Sequence, residues 1–200
     1  MAVPAPRRPD PPLAMREPPA EPAGAPPRRA ERRLVRGAQR GSPEDFEALF
    51  ALHWPRAYRT AWLVVHDAAA AEDIAQEAFI AALRALDSFD RRRPFGPWLS
   101  RIVVNRAIDW ARARRLQAVP ATSAAPRAAS EPEGWSEEVV VALRSLPVDQ
   151  RAVVVLRYAL GYTPGDIARM LELPRGTVNS RLRRGLDRLE SVLEREPDGA

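Results

Sequence analysis

A chain of 200 residues with 46% apolar content is long enough for one medium or two small domains, and its formal net charge of +5 favours a polyanionic partner without proving one. All 31 basic residues are arginine, a choice that, beside so much alanine and proline, reads as GC-rich coding rather than function. The absence of cysteine excludes disulfides and thiolate metal sites, and the two histidines, His53 and His66, stand in no metal-ligand spacing, so neither a metal nor a cofactor is expected. No apolar run approaches the ~20 residues of a membrane span, and the N-terminus lacks the apolar core of a signal peptide. The expectation is a cytoplasmic protein without membrane insertion.

Residues 1–30, crowded with Pro, Ala and Arg, hold little to bury and read as a disordered tail. A short helix over Ala30–Arg40 ends at Gly41, and Ser42, Pro43 and Asp45 then predict a capping box with Pro at the first helical position. Phe46, Leu49, Phe50, Trp54, Tyr58, Ala61, Trp62 and Val65 form one stripe at helical spacing, which Pro55 is expected to kink or interrupt. A third helix follows from about Ala70 to Asp87. After the basic loop DRRRPFGP a fourth runs from about Pro97 to Arg115. Residues 31–115 therefore make one four-helix bundle. Residues 116–135, rich in Ala, Pro and Ser, read as a flexible linker. Helices near 136–145, 148–160, 164–172 and 175–194, punctuated by Pro147, Gly161 and Pro174, form a second domain, and 195–200 a tail. With no strand alternation in either half, the class is all-α, two small helical domains.

Three surfaces carry the functional signal. Residues 162–189, YTPGDIARMLELPRGTVNSRLRRGLDRL, spell a helix-turn-helix. Thr163 and Asp166 cap its first helix, and Val178, Leu182, Leu186, Leu189 and Leu193 line the buried face of the second. The opposite arc carries Thr177, Ser180, Arg183, Arg184 and Arg188, flanked by Arg175, Asn179 and Arg181, side chains suited to base edges and phosphates.

On the third helix, at ~100° per residue, Ile74, Ala75, Ala78, Phe79, Ala82, Leu83 and Leu86 are assigned to the buried face, and Asp73, Gln76, Glu77 and Arg84 to the other. Ile80 falls among the polar group. An apolar anchor with a charged rim is the composition of a protein-docking patch.

The fourth helix carries a polar stripe, Arg101, Asn105, Asp109 and Arg112. The preceding loop adds Arg91, Arg92 and Arg93 with the aromatics Phe89, Phe95 and Trp98, a combination suited to unpaired nucleic acid. Residues 91–115 hold eight Arg and one Asp, whereas 67–90 hold six acids and one Arg, a contrast that points to two different partners. No clustered carboxylates, metal ligands or nucleophile-base pair suggests catalysis, so no catalytic residues are assigned.

The segments AAEDIAQEAFIAALRALDS, PFGPWLSRIVVNRAIDWARARR, LPVDQRAVVVLRY and GTVNSRLRRG occur in the order seen in sigma-70 family sigma factors of the extracytoplasmic function group, which the chain resembles from Leu34 to Leu193. The resemblance implies that the first bundle is region 2 and the second region 4, with no region 3 between them. It places Asp73, Gln76, Glu77 and Ile80 against the β′ clamp of core RNA polymerase, whose β subunit is a further partner. It assigns Arg91, Arg92, Arg93, Trp98, Arg101, Asn105 and Arg112 to the minus-ten promoter element. Arg175, Thr177, Asn179, Ser180, Arg181, Arg183 and Arg184 are assigned to the minus-thirty-five element. At Asn179 the chain departs from the basic residue common in the family, and Asn favours adenine where Arg favours guanine. An anti-sigma factor is implied as an inhibitory partner. The competing expectation is a helix-turn-helix regulator of the one-component or response-regulator type.

Overall fold

In the computed structural model, which describes residues 28–116 and 136–194, the first domain consists of α1 (Arg28–Ala38), α2 (Pro43–Val65), α3 (Ala68–Ala85) and α4 (Phe95–Leu116). Most of the expected tail at 1–30, the linker at 116–135 apart from Leu116, and residues 195–200 lie outside the described residues. Side-chain caps set the entries of the two central helices. Ser42 accepts from the Asp45 N–H at 3.1 Å, and Asp67 from the Ala70 N–H at 3.0 Å, so each satisfies a backbone donor that the first turn leaves free. The expected capping box at Ser42 is only half formed. Its own N–H donates to the Gly37 carbonyl at 3.1 Å, and the Asp45 carboxylate occupies the space where a side chain on residue 37 would stand.

From the sequence, Pro55 should kink or interrupt α2, yet the helix runs unbroken from Pro43 to Val65. Pro55 and Ala51, whose carbonyl loses its intrahelical partner, are both exposed, so the freed acceptor is open to solvent. The bundle core combines Leu49 and Leu63 of α2, Ile74 and Phe79 of α3, and Phe95, Val103 and Val104 of α4. Full burial of each such side chain contributes roughly 1.5–3 kcal/mol. Between them α3 presents Ala71, Ala75, Ala78 and Ala82, all fully buried, which bring its backbone close to α2 and α4.

The second domain comprises α5 (Glu137–Arg144), α6 (Val148–Val154), α7 (Pro164–Met170) and α8 (Arg175–Leu193). Where one helix is expected over 148–160, α6 gives way to a π-turn over Val155–Ala159. Ala152 through Leu156 are all fully buried, because this segment is enclosed by α8 on one side and by α2 and α4 on another. The capping box at α7 is complete: Thr163 Oγ1 accepts from the Asp166 N–H at 3.2 Å, and Asp166 Oδ2 from the Thr163 N–H at 3.1 Å. Gly185 lets α8 cross α6 closely, since a Cβ there would stand 2.9 Å from Val154 Cγ2. No strand occurs among the described residues.

Candidate nucleic-acid and protein interfaces

On α3 the alternation of buried and exposed positions leaves Asp73, Gln76, Glu77 and Ile80 all exposed, Ile80 at 49%. Leu83, assigned from the sequence to the buried face, is 50% exposed and stands one turn beyond Ile80. It borders an open groove of about 550 Å³ with Ala38, Pro43, Phe46 and Phe50. Two apolar side chains, Ile80 and Leu83, are thus exposed on this face. The acidic rim is tied to the next helix, because Arg106 Nη1 donates to Glu77 Oε2 at 2.6 Å.

The basic loop is held at both ends. Gln39 Nε2 donates to the Leu86 and Phe89 carbonyls at 2.8 and 2.9 Å, and Asp90 Oδ1 accepts from the Arg92 N–H at 2.9 Å. At the far end Glu31 lies 3.0 Å from His53 Nε2. The adjacent His53 imidazole, with the Phe95 and Gly96 backbone at the start of α4, holds its carboxyl below the usual range despite burial. Arg91, Arg92 and Arg93 are left exposed. Phe89 and Phe95, read from the sequence as available for stacking, are buried at 7% and 0% exposure. Their ring centroids lie 4.5 and 5.4 Å from that of Trp98, so they seat it rather than contact a ligand. Only Trp98 of the three is partly exposed.

Along α4, Arg101 and Arg112 of the expected stripe face the second domain, whereas Asp109 is exposed. Arg101 Nη2 donates to the Glu172 carboxylate in the α7–α8 turn, and Arg112 Nη2 to Asp149 Oδ1 of α6 at 2.7 Å. Asn105 is half-buried between them. On α8, Arg175, Asn179, Arg183 and Arg184 are exposed while Thr177, Ser180 and Arg181 are half-buried. Arg184 Nε folds back to the Ser180 carbonyl at 3.2 Å, and Arg181 Nη2 lies 3.7 Å from Asp149 Oδ2. Asp149 and Glu172 did not stand out in the sequence, where each reads as an ordinary surface acid.

Beside these pairs the domains share polar contacts. Arg151 Nη1 donates to the Val64 carbonyl at 2.6 Å, while its Nη2 donates to the Arg144 and Leu146 carbonyls, both at 2.9 Å. Burial and the neighbouring Arg144 lower its pKa to about 10. Arg56 Nη2 donates to the Leu160 carbonyl at 3.1 Å, and the Tyr162 hydroxyl to Ser100 Oγ at 3.3 Å. His66 caps α2 in the left-handed region with φ 53°, its ring edge-on to Trp62. Burial, then the guanidiniums of Arg151 and Arg144, lower its pKa to about 3.

An exposed acidic and apolar face on α3, a basic loop and stripe beside a seated tryptophan, and an arginine-bearing helix-turn-helix are the features of a two-domain all-helical protein. The sigma-70 region 2 family matches residues 49–117, and the sigma-70 region 4 family residues 136–189. The chain is 36% identical over 171 residues to the ECF RNA polymerase sigma factor SigM of Mycobacterium tuberculosis, covering 82% of this chain and 85% of that one. Among solved structures it resembles CnrH in complex with the cytosolic domain of CnrY, with TM-score 0.64, 29% identity, and coverage of 84% of this chain and 99% of that one. It also resembles the sigma factor RpoE in complex with the anti-sigma factor NepR from Bartonella quintana, with TM-score 0.64, 27% identity, and coverage of 77% and 99%. The chain belongs to the ECF sigma factors of the sigma-70 family. Matches to both regions, in family order, set aside the one-component or response-regulator reading.

Proposed function

We propose that this chain is a promoter-selecting subunit that joins core RNA polymerase through α3, reads two separated promoter elements and stabilises strand opening, while the polymerase performs the chemistry. The observation that carries the reading is the exposure of Asp73, Gln76, Glu77 and Ile80 on a helix whose intervening residues are buried. Nothing within the domain requires an isoleucine there, and a clamp helix of the β′ subunit would cover it together with Leu83. Residues 31–115 serve docking and the minus-ten element, with Arg91, Arg92, Arg93, Trp98, Arg101, Asn105 and Arg112 contacting the unpaired strand. Residues 136–194 serve the minus-thirty-five duplex through Arg175, Thr177, Asn179, Ser180, Arg181, Arg183 and Arg184. Opening works by capture: a surface that binds unstacked bases better than duplex offsets the cost of unpairing. A 20-residue linker spans at most ~70 Å, about two helical turns of DNA at ~34 Å each.

The site of action is the cytoplasm. An anti-sigma protein, such as the partner bound to the Bartonella quintana relative, is the matching inhibitor, covering Asp73, Glu77 and Ile80 in competition with polymerase. The test is transcription from a promoter library by core polymerase with and without the chain. Discrete start sites that depend on the chain are the expected result; an unchanged transcript profile would refute the function.

A further inference from the structure

Three consecutive exposed arginines, Arg91, Arg92 and Arg93, repel one another, and a segment that carries them favours extended, mobile states unless its backbone is held. In this fold the holding groups come from α1 and the turn that follows it. Gln39 Nε2 donates twice, to the Leu86 carbonyl at 2.8 Å, just past the end of α3, and to the Phe89 carbonyl at 2.9 Å, where the basic loop begins. The 3-10 turn Leu86–Ser88 closes at Phe89, so the Phe89 carbonyl has no helical N–H ahead of it and needs a donor from elsewhere. Farther along the loop, Arg32 Nη2 of α1 donates to the Arg92 carbonyl at 3.3 Å. Val35 and Ala38 are buried and fasten α1 to the bundle, so the donors themselves stand on a fixed base.

The same bonds reach Trp98. Phe89, whose carbonyl Gln39 fixes, is buried, and its ring centroid lies 4.5 Å from that of Trp98. One carboxamide thus ties together the end of α3, the start of the basic loop and the ring that seats the tryptophan. We propose that Gln39 is a positioning residue for strand capture: it orders the loop in advance, so that Arg91, Arg92, Arg93 and Trp98 meet an unpaired strand already in place. That role builds on the assignment of this loop and tryptophan to the minus-ten element. A loop ordered before binding draws no binding free energy for its ordering. Where only a fraction of molecules is ordered, the apparent affinity falls by that fraction.

The test compares the full chain with two variants. Gln39→Met keeps the length and neutrality of the side chain and removes both donors. Ile74→Val, a core change in α3 about 18 Å along the helix from Leu86, is the control for a general loss of stability, which urea unfolding measures in both. Amide hydrogen exchange at Phe89, Arg92 and Arg93, whose N–H groups bond to Leu86 and Asp90, is expected to accelerate ~10-fold in Gln39→Met and to stay within ~2-fold of wild type in Ile74→Val. In complex with core polymerase, binding to a fluorescent pool of single strands of randomised sequence is expected to weaken ~10-fold in Gln39→Met alone. Affinity for the polymerase itself is expected to hold within ~2-fold, because the exposed face of α3 is untouched.

Equal effects of the two variants would make Gln39 a stabilising residue only and overturn the positioning role. Loop amides that exchange no faster in Gln39→Met, or that exchange faster while strand affinity holds, would overturn it as well. A wild-type complex that binds single strands no better than core polymerase alone would instead overturn the minus-ten assignment beneath it.

Discussion

Acidification from neutral pH to about pH 5 is expected to destabilise the first domain through a single side chain, His66. The imidazole is neutral in the folded chain because burial and the guanidiniums of Arg151 and Arg144 lower its pKa from 6.5 to about 3. The unfolded chain therefore binds the extra proton first. Stability is complete above the ordinary value, falls as pH drops through it, and levels off below the folded value. For those two values the loss is about 0.8 kcal/mol near pH 6 and roughly 2 kcal/mol near pH 5. The carboxyl of Glu31, held below its ordinary 4.5, adds its own loss only under that pH, so the window from 7 to 5 isolates the histidine. Urea unfolding at pH 7, 6 and 5, compared with His66→Asn, is the assay; Asn tolerates the left-handed backbone at this position. With two histidines in the chain, proton NMR reads the ring directly, and no titration of the His66 signal is expected across this range. An equal pH dependence in wild type and His66→Asn would refute the reasoning.

Ile80→Glu is expected to leave unfolding unchanged within ~0.5 kcal/mol, since the side chain is half exposed, yet to weaken binding of core polymerase by 2 kcal/mol or more (order of magnitude) in a pull-down titration. Arg184→Ala should cost about 1–3 kcal/mol in binding the upstream duplex while sparing transcription from a pre-melted template, and Asn105→Ala should do the reverse. Equal losses on both templates would remove the division of labour. Gly185→Ala gains ~1 kcal/mol of helix propensity, but its methyl meets Val154 at 2.9 Å. Overpacking costs about 1–3 kcal/mol, so a net loss in thermal stability is expected.

The local rules read well where a residue acts on its own neighbours. Thr163, Pro164 and Asp166 place the start of α7, and the apolar spacing from Val178 to Leu189 finds the buried face of α8. Ile80 was found because a wheel needs only one helix. Leu83 was lost on the same wheel: it lies ~180° from Ile74, at the edge of the buried arc, and only the neighbouring α2 decides whether such a position is covered. Phe89 and Phe95 show the opposite error. Aromatic side chains beside arginines suit a nucleic-acid surface in composition, but two of the three are used to build the floor beneath Trp98. Asp149, Glu172 and Arg151 act across 37, 71 and 87 residues of chain, and no spacing rule reaches that far.

The alanine seat of α3 gives the docking helix an asymmetric response to mutation. Ala71, Ala75, Ala78 and Ala82 have only a methyl each to lose, so the large cavity-forming changes that usually damage a core do not arise at these positions. Every larger replacement must instead push α3 away from α2 and α4. The fold therefore confines the residues of α3 on the face that meets the bundle and places no such packing demand on its exposed face. The exposed face of α3 can change without altering how the helix is held.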